Sequence, residues 1–218
     1  MKRFVLIRHG QSEDNAGISS SGQGKTLLTD KGKRQAMVTG EHWREKPDLI
    51  VISPYIRTEQ TAAPTIRRYP DVPVQTWPIE EFRQLSAARY EGVNSHERWA
   101  HYDAHWAKKD PDFKDGDGIG AESIREFTKR LDRLEKDLVK TDFKLAYIFC
   151  HGMFLRAFML RHVWGSTRPM TEKIDTFYTA FRAWHYPNCG PVRGTIFEDG
   201  SMQLGNISID HVPRKLRS

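Results

Sequence analysis

Two apolar segments, far apart in this chain, each end in the dipeptide His-Gly. They are Phe4-Val-Leu-Ile-Arg-His9-Gly10 and Leu145-Ala-Tyr-Ile-Phe-Cys-His151-Gly152. Short apolar runs rich in Val, Ile, Phe and Tyr are typical of strands that are buried on both faces of a sheet. The carboxyl ends of parallel strands meet at one sheet edge, where ligands bind in open α/β sheets. We therefore expect the two imidazoles to lie at the same edge of one sheet.

Strands and helices are predicted to alternate along most of the chain. We predict strands at residues 3–7, 48–52, 73–77 and 145–150, with helices near 31–45, 55–68 and 153–164. This alternation is typical of a three-layer α/β fold with a mostly parallel central sheet and helices on both faces. The turn residues Glu198-Asp-Gly-Ser201 predict a hairpin, and hence an antiparallel edge to the sheet.

The helix after Ser123 has the clearest sequence signature. Its apolar residues recur at spacings of three and four, and Ser123 with Glu126 forms a capping box. These apolar positions are Ile124, Phe127, Leu131, Leu134 and Leu138.

The length of the chain predicts a single domain over residues 1–218. Within it, the stretch from about 78 to 120 is too long for a plain connection between elements. We interpret this stretch as a helical insertion that forms either a lid over a site or a decoration that only covers the sheet.

Charge and composition narrow the class of partner. Lys and Arg number 34 against 28 acidic residues, which gives a net charge of +6. The basic residues are scattered, and the compact run Arg214–Arg217 is short, so we expect no nucleic-acid partner. No apolar stretch approaches the ~20 residues of a membrane span. With only Cys150 and Cys189, a reducing compartment is expected, and we predict a cytoplasmic protein.

The residues around the first His-Gly are suited to phosphate chemistry. Arg8 offers a rigid fork of donors that matches phosphate oxygens, and the amide of Asn15 can add another donor. As a neutral imidazole, His9 can attack phosphorus if its other ring nitrogen donates to a carbonyl.

Two further segments follow predicted strands at the same sheet edge. Ser53 suits a helix N-cap and Pro54 the first helical position, which would place Arg57 at the end of the first turn. The partly positive end of a helix favours an anion. The neighbouring Glu80 and Glu81 supply a pair of carboxylates after residues 73–77.

These segments together resemble the histidine phosphatase superfamily, also called the phosphoglycerate mutase-like family. The resemblance runs in the family's order through most of the chain. Its matching blocks are Leu6-Ile7-Arg8-His9-Gly10-Gln11-Ser12 with Asn15, Leu28-Thr29-x-x-Gly32-x-x-Gln35-Ala36, Ser53-Pro54-x-x-Arg57-Thr58-x-x-Thr61-Ala62, Glu81 and His151-Gly152.

The resemblance implies a phosphoglycerate mutase-like fold and a role for each matching residue. It implies that His9 becomes phosphorylated and that Glu81 donates the proton, with Glu80 as the alternative acid. The commoner family pattern has a Glu-Gly pair close to the acid, whereas here Tyr90-Glu91-Gly92 comes several residues later. The residues implied to hold the phosphoryl group are Arg8, Asn15, Arg57, His151 and Gly152.

The resemblance and the residues together predict an enzyme, a metal-independent phosphomonoester hydrolase that acts through phosphohistidine and needs no cofactor. Two alternatives are a mutase of the phosphoglycerate mutase type and a phosphate-sensing module without turnover. The expected partner is a small phosphorylated substrate. The aromatic and basic residues of the insertion favour a negatively charged or ring-bearing leaving group. A homodimer through the C-terminal hairpin is possible in this interpretation.

Two sequence patterns resemble metal sites, but we do not expect either of them to bind a metal. The stretch from Asp115 to Glu126 resembles a calcium loop but has Ile119 where an oxygen ligand is needed. His101 and His105 are spaced for a metal, but no further ligand accompanies them. We expect no metal site.

Overall fold

The computed structural model describes residues 1–18 and 22–217, in which a mixed sheet is covered by helices. The strands are β1 (Lys2–Arg8), β2 (Leu49–Ile52), β3 (Val74–Thr76), β4 (Leu145–Cys150), β5 (Pro191–Ile196) and β6 (Met202–Ile207). The helices are α1 (Asp30–His42), α2 (Ile56–Arg68), α3 (Ala87–Tyr90), α4 (Trp99–Ala107), α5 (Ile124–Lys140), α6 (Gly152–Trp164), α7 (Arg168–Glu172) and α8 (Ile174–Ala183).

The sheet has the order β3-β2-β4-β1-β5-β6. Strands β1, β2, β3 and β4 are mutually parallel, while β5 runs antiparallel to both β1 and β6. The predicted parallel sheet with an antiparallel edge is therefore confirmed. The β5–β6 hairpin turns at the predicted residues, since Phe197 N donates to Ser201 O at 2.9 Å.

Alternating residues of the central strands enter two separate cores. In β1, Phe4 and Leu6 pack on one face, and Val5 and Ile7 pack on the other. Helices α5, α6 and α8 cover the first face, while α2 and the end of α1 cover the second. Because both faces are buried, the strand reads as a continuous apolar run.

The pairing of β1 with β4 determines where the two His-Gly segments lie. Arg8 is paired with Cys150, and the N–H of His9 donates to Cys150 O at 3.0 Å. His9 and His151 therefore follow two adjacent parallel strands at the same height.

The start of α2 differs from the prediction. Tyr55 is the N-cap and the helix begins at Ile56, so Arg57 lies early in the first turn rather than at its end. The physical reason is that Ser53, directly after β2, is still bonded to β4, since its N–H donates to Phe149 O at 3.1 Å. By contrast, the predicted capping box of Ser123 and Glu126 is confirmed at the start of α5.

The C-terminal segment packs on α1 through a pair of histidines. The His211 ring stacks on His42 with centroids 4.7 Å apart, and Nε2 lies 3.2 Å from the Thr39 hydroxyl. Burial, helped by the charges of His42 and Arg193 and opposed by Asp210, lowers the pKa of His211 to about 4. The folded state therefore favours the neutral form of the His211 ring.

This packing predicts a pH-dependent stability. An unfolded histidine has a pKa of about 6.5, so the unfolded chain binds more protons between that pH and about 4. The contribution of His211 is complete above this window and is lost as the pH falls through it. The unfolding free energy of the unchanged protein should fall between pH 7 and pH 5, in part because of His211. In His211→Gln we expect this fall to be smaller by about 1 kcal/mol, allowing for solvent screening. Urea unfolding at both pH values measures this loss.

The matched control is His96→Gln, which makes the same change at an exposed position. Between pH 7 and pH 5, the unfolding free energy of this variant should fall by as much as that of the unchanged protein. An equal loss in the His211 variant would contradict the expected linkage.

Candidate active site

His9 lies directly beyond β1 and is buried, with 3% of its surface exposed. Its Nδ1 lies 2.7 Å from Gly10 O, and its Nε2 lies 3.2 Å from the Nε–H of Arg57. The carbonyl can only accept, so Nδ1 carries the proton and Nε2 keeps its lone pair. Burial, together with the charges of Arg57 and Arg8, holds the pKa of His9 well below its usual value. The ring is therefore a neutral potential nucleophile.

The loop after His9 is held by a close approach to α1. A Cβ on Gly10 would lie 2.6 Å from Gly32 O, and one on Gly32 would lie 2.0 Å from Gln11 O, so both positions require glycine. The N–H of Gln11 donates to Gln35 Oε1 at 2.7 Å, and that of Gly10 donates to Thr61 Oγ1 at 3.0 Å. The motif residues on α1 and α2 thus position the backbone next to His9.

His151 lies beyond β4 as the N-cap of α6 and is fully buried. Its ring centroid is 5.3 Å from that of His9, and its Nε2 lies 2.8 Å from Ser53 Oγ. Its Nδ1 is buried and has no hydrogen-bond partner among residues 1–18 and 22–217. Burial, with the charge of Arg57, lowers the pKa of His151 well below its usual value.

The two arginines are anchored by backbone carbonyls. Arg8 donates from Nη1 to Tyr186 O and from Nη2 to Asn15 Oδ1, the latter at 3.3 Å. Its Nε is buried and unpartnered within the described part of the chain. Arg57 donates from Nη1 to Gln23 O at 2.6 Å. These contacts hold each guanidinium in place.

Gly152 allows α6 to begin against Arg8. A Cβ on Gly152 would lie 3.0 Å from Arg8 Nε. A Cβ at this position would therefore require the Arg8 side chain to move by a few tenths of an ångström. The close approach of Arg8 therefore explains why a glycine follows His151.

Asn188 is a buried residue that the sequence analysis did not single out. Its Nδ2 donates to His9 O at 2.9 Å and to Asn15 Oδ1 at 3.1 Å. Asn15 Oδ1 also accepts from Arg8, which leaves the Asn15 Nδ2 as its available donor. The only sequence signal was the turn-like Pro187-Asn188-Cys189-Gly190, which does not reveal a long-range contact with His9.

The two neighbouring carboxylates have different surroundings. Glu81 accepts hydrogen bonds from the N–H groups of Met153 and Phe154, both at the start of α6, at 2.9 and 3.1 Å. Glu80 forms an ion pair with Arg130, with Oε2 and Nη1 3.3 Å apart. Glu81 lines the cavity in front of His9, whereas Glu80 is not among the residues that line it.

The site residues surround a cavity of about 340 Å³. The cavity is bounded on one side by Arg8, His9, Asn15, Arg57, Glu81 and Gly152. His151 is not among the residues that line the cavity, and its ring lies 5.3 Å from that of His9. The structure thus places the other residues predicted for the phosphate pocket on the cavity wall and His151 next to His9.

The insertion between residues 78 and 120 is tied to the loop after β1. Arg98, fully buried, forms an ion pair with Asp14 and lies over the Tyr90 ring, with Cζ 4.1 Å from the centroid. The Tyr90 hydroxyl donates to the same carboxylate at 3.2 Å. Helices α3 and α4 are consequently held next to the cavity. No pattern in the sequence indicated this contact.

No metal site accompanies these residues. Within residues 1–18 and 22–217, no group of three or more His, Cys, Asp or Glu residues is arranged to hold a metal ion. The carboxylate of Asp115 instead accepts from the N–H and hydroxyl of Ser86, at 2.9 and 3.1 Å. Across the same residues, no helix combines the length and apolar character that a bilayer span requires.

Sequence comparison then identifies the family of the chain. A family model described as histidine phosphatase superfamily (branch 1) matches residues 4–193. The chain belongs to this superfamily. The predicted family and enzyme class are therefore confirmed.

Relatives and structural neighbours of this histidine phosphatase agree with the assignment. It is 28% identical to an uncharacterised phosphatase of Bacillus subtilis over 84% of this chain and 92% of that protein. A match to glucosyl-3-phosphoglycerate phosphatase of Mycolicibacterium vanbaalenii is 39% identical but covers only 26% of this chain and 25% of that protein.

A solved structure confirms the predicted fold class. Phosphoserine phosphatase of Entamoeba histolytica, in complex with 3-phosphoglyceric acid, superposes with a TM-score of 0.70 at 21% identity. The match covers 98% of this chain and 100% of that structure.

Replacing Asn188 tests whether its hydrogen bonds position the histidine phosphatase site. In Asn188→Ala, the Asn15 amide and the His9 carbonyl each lose a donor, a cost of about 1 kcal/mol per bond. We expect affinity for orthovanadate, a mimic of the transferring phosphoryl group, to fall about 10-fold. Inhibition or calorimetric titration measures this affinity.

Asn206→Ala is the matched control, because it removes an exposed amide on β6. It should bind vanadate as the unchanged protein does. Unaltered vanadate affinity in a folded Asn188 variant would contradict the positioning role.

Proposed function

We propose that this histidine phosphatase hydrolyses small phosphomonoesters without a metal, by passing the phosphoryl group through His9. The observation that carries the proposal is the state of His9. Its tautomer is set by Gly10 O, its pKa is depressed, and its Nε2 accepts from Arg57 Nε at 3.2 Å in a cavity that Arg8 also lines. Such an imidazole can attack phosphorus at neutral pH without first losing a proton.

In the first step, Nε2 of His9 forms a bond to phosphorus and the ester P–O bond breaks. Glu81, in its protonated form, gives its proton to the leaving oxygen, which departs as a neutral alcohol. In the second step, Glu81 takes a proton from water, the water oxygen bonds to phosphorus, and the N–P bond breaks. Phosphate leaves, and His9 and Glu81 return to their starting states.

The remaining residues act on charge in the transition state. Phosphoryl transfer spreads negative charge over three equatorial oxygens, so positioned donors supply most of the stabilisation. We assign this role to Arg8, Arg57, Asn15 and His151. The unpartnered Arg8 Nε and His151 Nδ1 support the assignment, because buried polar atoms ordinarily have partners.

Hydrolysis with and without EDTA tests this function. We expect the unchanged protein to release phosphate from simple phosphomonoesters equally well in both conditions. His9→Ala should lower kcat by about 10³-fold or more, because the nucleophile is lost. His42→Ala, a histidine replacement on the far side of the fold, serves as the control and should keep its activity.

Inhibition by EDTA would contradict the metal-independent mechanism, and activity retained in His9→Ala would contradict the nucleophile. Transfer of the group to another hydroxyl of the same molecule, with no phosphate released, would favour the mutase. Binding of phosphate without any turnover would favour the sensing module.

The role of Glu81 is tested by leaving groups of different basicity. Glu81→Gln should lower kcat for an alkyl phosphate by about 10²-fold or more, since an alkoxide needs a proton. The loss should be much smaller for 4-nitrophenyl phosphate, whose leaving group is stable as an anion.

Glu80→Gln is the matched control at the neighbouring carboxylate, and steady-state kinetics measures both variants. We expect it to keep most of the activity, because Glu80 pairs with Arg130 outside the cavity wall. A larger alkyl-phosphate defect in Glu80→Gln than in Glu81→Gln would reverse the assignment.

We also infer the setting in which this activity operates. The chain acts as a single domain, residues 78–120 form a lid over the site, and the partner is a small phosphorylated substrate rather than nucleic acid. The ion pair of Arg98 with Asp14 supports the lid. Two buried free cysteines, Cys150 and Cys189, support a cytoplasmic location. Strand β6, the last strand of the sheet in the described part of the chain, offers a surface for a homodimer.

A further inference from the structure

The cavity in front of His9 continues into a second half that is lined by rings. Three elements supply them, namely α3, α4 and α8. We call these side chains the ring wall: Tyr90, Trp99, Tyr102, Trp106, Tyr178 and Phe181. Trp106 stacks on Tyr178 with centroids 4.8 Å apart and an angle of 15° between the planes. The wall therefore joins the insertion to α8 across the cavity.

The polar tips of the ring wall are engaged by the protein. The Tyr178 hydroxyl donates to Asp103 Oδ1 at 2.6 Å, and the Tyr102 hydroxyl accepts from Arg98 Nε at 3.1 Å. Tyr90 donates to Asp14, as described above.

The indole of Trp106 is engaged in the same way, since its Nε1–H donates to Gln84 Oε1 at 2.7 Å. The wall therefore offers a ligand aromatic surface. Guanidinium groups lie over two of its rings, with Arg156 Cζ 3.8 Å from the Phe181 centroid and Arg182 Cζ 5.1 Å from the Trp99 centroid. A polyhydroxyl leaving group would lose hydrogen bonds to water here without full replacement.

The cations beside the ring wall are also engaged. Arg156 donates from Nε to Gly152 O at 3.1 Å and from Nη1 to Phe181 O and Trp184 O at 2.8 and 2.9 Å. Arg182 pairs with Asp103 at 3.1 Å. This half of the cavity thus differs from the phosphate end, where the buried Arg8 Nε has no partner among the described residues. The contacts in this half of the cavity therefore do not favour binding of a second strong anion.

The size of the cavity is consistent with a ring. Its volume of about 340 Å³ lies within the ~300–1,000 Å³ of pockets that enclose drug-sized ligands. This space accommodates a phosphoryl group together with a one- or two-ring substituent. A phosphorylated three-carbon acid would leave much of the ring wall uncovered.

The geometry points to phosphomonoesters whose leaving group carries an aromatic ring, which packs on the ring wall while its phosphoryl group lies at His9. This inference rests on the proposed function and names its substrate class. Aromatic rings pack against each other in offset or edge-on arrangements, and their burial removes apolar surface from water. Of the two leaving groups that the sequence left open, the structure favours the ring over the negative charge.

The test compares 3-phenylpropyl phosphate with n-propyl phosphate. Both release primary alcohols of similar basicity, so a difference in kcat/KM reports recognition of the ring rather than ease of bond cleavage. We expect the phenyl compound to be preferred about 30-fold or more. Phosphoserine and 3-phosphoglycerate, which carry a carboxylate and no ring, should be used less well than the phenyl compound.

Trp99→Ala tests the ring wall directly, because Trp99 is 47% exposed and its removal leaves the core intact. We expect the preference for the phenyl compound to fall about fivefold or more. Phe197→Ala is the matched control, since Phe197 is 41% exposed and lies in the β5–β6 turn, outside the cavity wall. It should keep the preference of the unchanged protein.

The outcomes separate this inference from the proposed function. Hydrolysis of both alkyl phosphates at similar kcat/KM, or a preference for the carboxylate substrates, would overturn the ring inference while the phosphatase function stands. A phenyl preference that survives Trp99→Ala undiminished would overturn the assignment to the ring wall. Absence of hydrolysis with every ester would overturn both, and vanadate binding without turnover would then identify a sensing module.

Discussion

The parallel pairing of β1 with β4 is the interaction on which the rest of the site depends. Its register joins Arg8 to Cys150, and this single alignment places His9 and His151 at equal height with rings 5.3 Å apart. A shift of one residue would send each side chain of the strand to the opposite face. Because both faces of these strands are packed in separate cores, the register is strongly specified.

Burial of positive charge is the second feature that organises the molecule. Arg8 and Arg57 lie beside two buried imidazoles and help to lower the pKa of both. The same arrangement favours an anion, which lessens the repulsion among the cations. An unpartnered buried donor costs roughly 1–3 kcal/mol, and the Arg8 Nε is such an atom within the described residues. A phosphoryl oxygen would supply the acceptor that this donor lacks.

The predictions from sequence succeeded where local rules act and failed where distant contacts decide. The capping box of Ser123 and Glu126 formed as expected, because both partners lie within one helical turn. Ser53 also has the chemistry of an N-cap, yet its backbone continues the sheet and its hydroxyl contacts His151. Asn188 was missed for a similar reason, since its two partners are distant in sequence.

The sequence by itself determined the order of the strands and of helices α1, α2, α5 and α6, the mixed sheet and the set of residues at its edge. Apolar periodicity and motif spacing carry that information, and each His-Gly pair marks a strand end. The sequence did not predict α7 and α8. Only the tertiary structure decided which carboxylate reaches the cavity. Glu80 and Glu81 are chemically identical neighbours, and they differ because Arg130 binds one while the first N–H groups of α6 bind the other. The ring wall arises likewise, because its side chains come from separate helices that meet only when packed on the sheet.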